Sequence, residues 1–514
     1  MGKSTTLTFY GGVGEIGGNM IHLQFGEYGM FLDFGINFKR SSMFFDEFLK
    51  PRSNRGVSDF LALGMVPKIR NYRPDLVPAD VDITSFPKLK LDYVFVSHAH
   101  MDHAGNIGLL PMGIPVVASP VTATILKAIK DTGTQMESEV AYSAERKPKD
   151  DPRTIEPGNW KNTPFTGRKF IIAGKIDSEL ETFCSTCPGS RELVPGGLAE
   201  AQGELPFKGH AFEVDHSIYG ATAYAIETPA GWVVYTGDLR LHGAKGASTA
   251  AFVKAAAGLE PAVLIIEGTR IDGTERSVTE EAVYKTCRDA VLSEKNGLVI
   301  ADFSARNFER LDTFIRIAKE SDRELVVMYK DAYLLEAIKF ADNIDRMKDL
   351  RIFNVLKSRT KGFEDSVMDK FEDQLVDLEE IKENPKGFIL CFSFFDMKHL
   401  LDIMPDGGTY VYSSSEAYTE EQAIDFLKLW NWLKVFNFKA KGFRVVGSGD
   451  DARPEFDRGY HASGHASSEE LIKIIEDIAP KKVIPVHTDH PEMFEDLVSA
   501  KVEKKLEKGR DYPI

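Results

Sequence analysis

The chain has 514 residues, of which 43% are hydrophobic and 27% are charged, and its formal net charge is −15. These values are ordinary for a globular protein, and the length predicts two domains or one domain with a large insertion. Four cysteines are too few for a disulfide framework, so we expect a reducing, cytoplasmic compartment. The sequence shows no signal-peptide pattern and no apolar run long enough to span a bilayer, which argues against a membrane protein.

The acidic balance argues against a broad basic surface that would coat a nucleic acid. It does not exclude a nuclease, because bound divalent ions and a few local arginines or lysines can make one groove positive. A nucleic-acid function therefore has to be argued from particular residues.

The N-terminal region contains the spacing Gly12-x-Gly14-x-x-Gly17 after a short strand-like run. This spacing matches the dinucleotide-binding fingerprint, which requires a helix to follow. Two strand-like runs follow instead, at 20–25 and 30–33. We therefore expect a glycine-rich bend between paired strands, not a nucleotide-binding Rossmann unit.

The most informative stretch is His98-x-His100-x-Asp102-His103, which places four potential metal ligands within six residues. The apolar, β-branched run at 91–96 predicts a buried strand immediately before it. Two alternate histidines at a strand end point to the same face, and the following turn can bring Asp102 and His103 towards a second ion. Imidazole and carboxylate ligands without thiolates suit Zn²⁺, Mn²⁺ or Fe in a hydrolytic site.

Potential ligands also end four other strand-like runs: Asp33, His216, Asp238 and His487. One such residue is weak evidence, since a polar residue often ends a buried strand as a turn former. The recurrence of a strand followed by a ligand is the significant pattern.

The region from about 144 to 209 is rich in Pro, Gly and Lys, and we expect it to be irregular. It contains Cys184 and Cys187, spaced C-x-x-C. No second such pair exists, so these cysteines are either half of a metal or redox site or incidental loop thiols.

From Ser277 the pattern changes to alternating helices and strands. Ser277-x-x-Glu280 predicts a capping box at the start of a helix. Strand-like and helix-like runs then alternate to about residue 440, which predicts a parallel sheet covered by helices.

The ordered set of Asp33, the 98–103 motif, His216 and Asp238 resembles the successive motifs of the metallo-β-lactamase superfamily. Glu267, His465 and His487 resemble the three further motifs of its β-CASP nucleases, and the opening run at 11–19 resembles that of the ribonuclease J group. The resemblance implies an α/β fold: a metallo-β-lactamase αββα sandwich with an inserted α/β β-CASP domain. The implied segments are a sandwich part at 1–274, the β-CASP insertion at 275–440 and a sandwich return at 441–514.

The resemblance also implies two Zn²⁺ ions, with Mn²⁺ as the alternative metal. The first ion would be held by His98, His100 and His216. The second would be held by Asp102, His103 and His487. Asp238 would bridge the two ions, and Asp33 would orient a ligand from behind.

The catalytic residues implied by the same resemblance are Asp102, His465 as general acid, and Glu267 tuning it. The loop of His461, Ser463 and Gly464 would contact phosphate through its backbone N–H groups. Ser304, Arg306 and Asn307, followed by Arg310, loosely resemble a pocket of the family and would bind a 5′ phosphate or the nucleic-acid backbone at a helix N-terminus; Arg306 is equally explained as a solvated cation.

The implied function is a metal-dependent hydrolase of RNA phosphodiester bonds, a 5′-to-3′ exoribonuclease with endonuclease activity also open. His487 favours RNA, because DNA-directed relatives often lack histidine at that motif. The alternatives are a DNA-directed β-CASP nuclease, another hydrolase of the same fold, and an inactive RNA-binding paralogue. Single-stranded RNA is the expected partner. A homodimer stays open, because this chain stops at Ile514, where the family often continues into a further domain.

Overall fold

The computed structural model describes residues 4–46, 48–157, 163–273, 277–304, 306–414 and 420–514. Ala305 and the predicted boundary at 274/275 lie outside these ranges. Within them, no helix has both the length and the apolar character needed to cross a membrane.

Two mixed sheets form the centre of the sandwich. The strands of the first sheet, in spatial order, are Leu198–Glu200, Phe170–Ile172, Val116–Ala118, Tyr93–Phe95, Tyr28–Phe34, Met20–Phe25, Thr5–Gly11 and Asp511–Pro513. Those of the second sheet are Gly209–Glu213, Thr222–Thr228, Gly231–Tyr235, Val263–Glu267, Lys482–Val486 and Lys501–Val502.

The inner faces of these two sheets share one apolar core, which includes Leu32 and Phe95 from the first sheet and Ile226 and Ile484 from the second. Helices cover both outer faces, because the strands are apolar on that side as well. The layers are therefore helix, sheet, sheet, helix, and the predicted αββα sandwich is confirmed.

A third sheet is parallel throughout. Its strands, in spatial order, are Leu375–Val376, Leu350–Phe353, Glu324–Val327, Phe388–Leu390, Leu298–Asp302, Gly408–Tyr412 and Phe438–Lys441. All of them lie within or next to the predicted insertion, so the predicted parallel sheet is confirmed. The domain boundaries at 274/275 and 440/441 stay a proposal.

The longer helices lie against these sheets. They are Pro120–Thr132, Ser178–Ser185, Gly246–Ala257, Glu280–Ser293, Phe308–Glu320, Tyr329–Asp342, Gly362–Lys370, Glu420–Val435 and Ser468–Ile478. The shorter helices are Phe38–Ser42, Ser58–Ala62, Met101–Ala104, Leu378–Glu383, Leu400–Ile403 and Met493–Leu497. Short paired strands complete the fold at Tyr142–Ser143 with Phe165–Gly167 and Leu193–Val194, Arg146–Pro148 with Ile155–Pro157, and Phe443–Val446 with Arg453–Phe456.

Three sequence predictions about local structure can be compared with these elements. The glycine-rich bend is confirmed, since it joins two antiparallel strands. The capping box at Ser277 is wrong: Thr279 caps the helix, and its side chain accepts a hydrogen bond from the Ala282 N–H. The region 144–209 is more regular than expected, because Phe170–Ile172 and Leu198–Glu200 extend the first sheet in parallel.

Candidate metal centre

The 98–103 motif lies where the sequence places it, after the strand Tyr93–Phe95. His98 and His100 stand on extended backbone, and the four-residue helix Met101–Ala104 then turns Asp102 and His103 back towards them. The other potential ligands follow strands of the second sheet or its connections. All of the predicted metal ligands therefore converge on one edge of the sandwich.

The predicted first triad is tightly grouped. His100 Nδ1 lies 3.0 Å from His98 Nε2 and 3.2 Å from His216 Nε2. The second triad is grouped as well: Asp102 Oδ2 lies 3.7 Å from His103 Nε2 and 3.2 Å from His487 Nε2. Each triad offers ligand atoms that all lie within 4.8 Å of one another.

Asp238 lies between the two triads. Its Oδ2 is 3.7 Å from His98 Nε2 and 3.9 Å from His216 Nε2 on one side. On the other side it is 3.1 Å from His103 Nε2 and 3.8 Å from His487 Nε2. This position between the triads is the one that a bridging ligand would need.

Among the described residues, His103 Nε2 and Asp238 Oδ1 are buried in the cluster without a hydrogen-bond partner. Leaving such atoms unpaired costs free energy unless something else coordinates them. His103 Nε2 lies between Asp102 and Asp238, and the donor set is imidazole nitrogen and carboxylate oxygen. The residues therefore fit a divalent metal ion.

Asp33 fixes the orientation of His103. One carboxylate oxygen accepts hydrogen bonds from His103 Nδ1 at 2.7 Å, Ser97 Oγ at 2.6 Å and Tyr235 OH at 2.6 Å. The other accepts from the Ser97 N–H at 2.7 Å. With Nδ1 engaged by Asp33, His103 presents Nε2 to the cluster, as expected for a carboxylate that orients a ligand.

Burial keeps the histidines of the first triad neutral. It lowers the pKa of His100 to about 4, and it lowers the pKa values of His98 and His216 well below 6.5, with help from the neighbouring imidazoles. A neutral imidazole is the form that binds a metal. The triad is therefore ready to accept an ion at neutral pH.

His465 lies beside the cluster and pairs with Glu267. Its Nδ1 is 3.1 Å from Glu267 Oε1, and Glu267 is itself held by the N–H groups of Leu239 and Thr269. Burial alone lowers the pKa of His465, but the charges of Glu267 and Asp238 outweigh burial and raise it to about 9. The imidazolium form is the one able to give a proton.

The N-terminal glycine bend and the turn after the strand Tyr28–Phe34 brace the metal motif. The Asn19 N–H donates to Asp102 O at 3.1 Å, and the Ile36 N–H donates to Met101 O at 2.9 Å. Gly35 lies so close that a Cβ there would stand 1.7 Å from Asp102 O. Glycine at this position allows the backbones to approach.

Two backbone strains occur at the centre. Asp33 and His487 adopt the left-handed region, with φ of 59° and 53°. Non-glycine residues rarely adopt this region, and such strain clusters at functional sites. The left-handed backbone changes the direction in which each of these side chains leaves its strand.

The predicted phosphate loop is only partly free to bind phosphate. The carbonyl of Gly464 accepts a hydrogen bond from His216 Nδ1 at 2.6 Å, and a Cβ on Gly464 would stand 2.9 Å from His216 Cε1. Burial and nearby arginines lower the pKa of His461 to about 3, and its Nδ1 has no hydrogen-bond partner in the described part of the chain. Ser463 Oγ accepts from the His465 N–H at 3.1 Å.

The residues of the predicted pocket at 304–310 do not come together at one site in the structure. Arg306 reaches the metal motif, with Nη1 3.4 Å from Ala99 O, whereas Ser304 is exposed. The side chain of Asn307 caps the helix Phe308–Glu320 by accepting from the Arg310 N–H. Arg310 is fully buried and pairs with Glu280 at 3.0 Å, so it is not available to a substrate.

Cys184 and Cys187 are free thiols. Burial raises the pKa of Cys184 to about 12, and Cys187 Sγ lies 3.3 Å from Arg191 O. Among the described residues, neither cysteine joins a group of potential metal ligands. The structure favours the interpretation as incidental thiols.

Several residues that the sequence did not single out complete the centre. Tyr235 holds Asp33, and Thr269 Oγ1 lies 2.8 Å from His487 Nδ1 and 3.2 Å from His465 Nδ1. Thr269 lies two residues after Glu267, so proximity in sequence is a signal that could have found it. Tyr235 looks like any aromatic residue in a buried strand.

One protein-family model matches residues 454–505; it is described as "Zn-dependent metallo-hydrolase RNA specificity domain". Ribonuclease J of Mycoplasma pneumoniae is 22% identical over 96% of this chain and 69% of its own length. Ribonuclease J of Pyrococcus abyssi is 23% identical over 93% of this chain and 88% of its own length. The chain spans 56% of ribonuclease J of Helicobacter pylori, at 20% identity.

A solved structure from Enterococcus faecalis, titled a protein of unknown function, superimposes with a TM-score of 0.69 and 20% sequence identity. It covers 99% of this chain, and the chain covers all of it, so the fold is shared throughout. The resemblance predicted from the sequence is thus confirmed: the chain has the metallo-β-lactamase fold and is similar to the β-CASP proteins of the ribonuclease J group.

Proposed function

We propose that this chain is a metal-dependent nuclease that hydrolyses RNA phosphodiester bonds, acting as a 5′-to-3′ exoribonuclease. The ribonuclease J relatives and the matched RNA specificity domain support a metal-dependent RNA nuclease. The observation that carries the proposal is the buried ligand cluster with the His465–Glu267 pair beside it. The cluster would hold the ions, and the pair would supply a proton to the leaving oxygen.

We assign two Zn²⁺ ions to the two triads, with Asp238 between them. Bound divalent ions would supply Lewis acidity, which activates water as a nucleophile and neutralises charge on the phosphate. The chain's own residues orient the ligands and supply the proton. Asp33 sets the tautomer of His103, and Glu267 holds His465 so that its other nitrogen, Nε2, can protonate the leaving oxygen.

Arg306 is the substrate contact with the best support. Its guanidinium lies at the metal motif, where it can meet a phosphate beside the reacting one, although the chain as a whole is acidic. His461 and the backbone of Ser463 and Gly464 are assigned to the same phosphate path. The free cysteines fit the proposed cytoplasmic location. A homodimer stays a prediction.

The test is a time course with Zn²⁺ or Mn²⁺ on matched RNAs that carry a 5′-monophosphate, 5′-hydroxyl or 5′-triphosphate. Matched single-stranded DNA runs alongside. We expect mononucleotides to accumulate from the 5′-monophosphate RNA.

Internal fragments would instead identify an endonuclease, and faster cleavage of DNA would identify a DNA-directed enzyme. Retained RNA binding without hydrolysis of any substrate would identify an inactive RNA-binding paralogue. Each of these results contradicts the proposal in a different way.

A further inference from the structure

One backbone carbonyl beside the general acid is held by two side chains that have no assigned role. Ser463 O accepts hydrogen bonds from Arg240 Nη1 at 2.9 Å and from His242 Nε2 at 3.0 Å. Ser463 lies two residues before His465, and its own hydroxyl accepts the His465 N–H. The position of this carbonyl therefore sets the position of His465.

Arg240 is anchored on all sides. It is fully buried, and its guanidinium pairs with Asp215 at 3.2 Å and Glu309 at 2.5 Å. Its own N–H donates to Asp215 O at 2.8 Å. A buried guanidinium with its donors engaged has little freedom, so the carbonyl it holds has little freedom as well.

His242 is anchored from the opposite side. Its side chain is 6% exposed, and Nδ1 lies 3.1 Å from Glu470 Oε2. Glu470 also accepts from the Ser467 N–H at 2.8 Å, in the capping box of the helix Ser468–Ile478. The residues on both sides of His465 are thus tied to one short segment, 240–242.

The same segment begins two residues after Asp238. The backbone from Asp238 to His242, together with the hydrogen bonds of Arg240 and His242 to Ser463 O, therefore links Asp238 to His465. This link does not pass through the metal ligands of the first triad. We propose that Arg240 and His242 are positioning residues that hold His465 for proton transfer. This inference rests on the proposed function.

The step that these residues support is the hydrolysis of one phosphodiester bond. The oxygen of water bonds to phosphorus while the bond from phosphorus to the leaving ribose oxygen breaks. The bonding pair stays on that oxygen, which takes a proton from His465. The proton released by the attacking water restores the imidazolium through solvent.

The test compares two substrates that differ in their need for an acid. RNA loses a ribose oxygen that must be protonated, whereas bis(p-nitrophenyl) phosphate loses p-nitrophenolate, which leaves without a proton. For His242→Gln and Arg240→Lys we expect kcat on RNA to fall about tenfold or more, with KM little changed. Turnover of the aryl ester should stay close to that of the unaltered protein.

Two further measurements separate positioning from general damage. Bound metal, counted by mass spectrometry, should be unchanged in His242→Gln. In a His465→Ala background, His242→Gln should cause no further loss on RNA, because both changes act through one group.

Arg323→Met is the matched control. Arg323 is also a buried arginine that donates to backbone carbonyls, including Glu294 O at 2.7 Å, but it lies in the third sheet. It should lower stability and leave the ratio of RNA to aryl-ester turnover unchanged. If Arg240→Lys fails to fold, His242→Gln carries the test alone.

Equal losses on the two substrates, or an additive loss in the His465→Ala background, would overturn the positioning role. An unaltered protein that hydrolyses the aryl ester but no nucleic acid would overturn the proposed function as well. The two failures are therefore distinguishable.

Discussion

Buried side chains of opposite charge lie next to one another at the metal centre. Burial on its own raises the pKa of Asp102, but His103 and His487 outweigh burial and hold that pKa far below its usual range. The carboxylate is therefore ionised at neutral pH and available to a cation. Its side chain is 21% exposed, so its removal leaves a smaller cavity than removal of a fully buried ligand would.

Asp102→Ala should abolish hydrolysis, with turnover lower by a factor of roughly 10³ or more. The reason is the loss of one ligand from the second triad. RNA turnover, bound metal and far-ultraviolet circular dichroism check this together. Near-normal turnover in a folded variant would contradict the two-metal assignment.

Asp302 offers a prediction away from the metal. It ends a central strand of the third sheet, and its carboxylate accepts a hydrogen bond from Tyr410 OH. Burial raises its pKa from 3.8 to about 7. Below pH 3.8 both the folded and unfolded states bind the proton, and between these two values only the folded state keeps it.

Stability contributed by this group is therefore greatest at low pH and is lost as the pH rises towards 7, by on the order of 4 kcal/mol. Asp302→Asn should remove most of that slope in urea unfolding between pH 4 and pH 8. Asp406→Asn, at an exposed position, serves as the control and should keep the slope of the unaltered protein. An Asp302→Asn slope equal to the control's would show that Asp302 is not the cause.

At the scale of elements, the close contact between the turn after the strand Tyr28–Phe34 and the metal motif is the most demanding. A Cβ on Gly35 in that turn overlaps Asp102 O, so Gly35→Ala must push the turn and the motif apart. A displacement of about 1 Å at a catalytic group commonly costs about a hundredfold in rate. We expect a loss of that size in kcat, measured on RNA.

Gly113→Ala is the control for this substitution, because a Cβ there meets nothing within 4 Å. It should retain full activity. Full activity in Gly35→Ala would mean that the turn after Tyr28–Phe34 does not brace the motif.

The elements also show what the sequence can and cannot predict. Ligands at strand ends were found because the apolar run before each one is easily recognised. The start of the helix Pro120–Thr132 also carries strong local signals, because proline occupies its first position and the Ser119 side chain before it accepts the Thr122 N–H.

The remaining features depend on tertiary contacts that the local sequence does not specify. Asn307 was assigned to substrate, although asparagine directly before a helix is a common cap. The pairing of Phe170–Ile172 with Val116–Ala118 joins segments more than fifty residues apart, and nothing local specifies it. The role of Arg240 depends on partners from distant parts of the chain, Asp215, Glu309 and Ser463.

For the whole molecule, metal removal is the broadest test. The folded state assembles its ligands from distant segments, so an ion binds the folded state in preference to the unfolded one. Each ion at a hundredfold excess over its Kd stabilises the fold by about 3 kcal/mol.

A strong chelator should therefore abolish hydrolysis and lower Tm, and Zn²⁺ or Mn²⁺ should restore both. Calorimetry and an RNA assay on the same samples check this. An unchanged Tm after complete metal loss would contradict metal-linked folding at this centre.

The order in which the ligands are made has a consequence for synthesis in the cell. His98, His100, Asp102 and His103 emerge first, and His465 and His487 follow more than 360 residues later. A nascent chain therefore cannot complete its catalytic centre until residue 487 has been made. Until then it lacks the ligands and the general acid that attack on its own message would need.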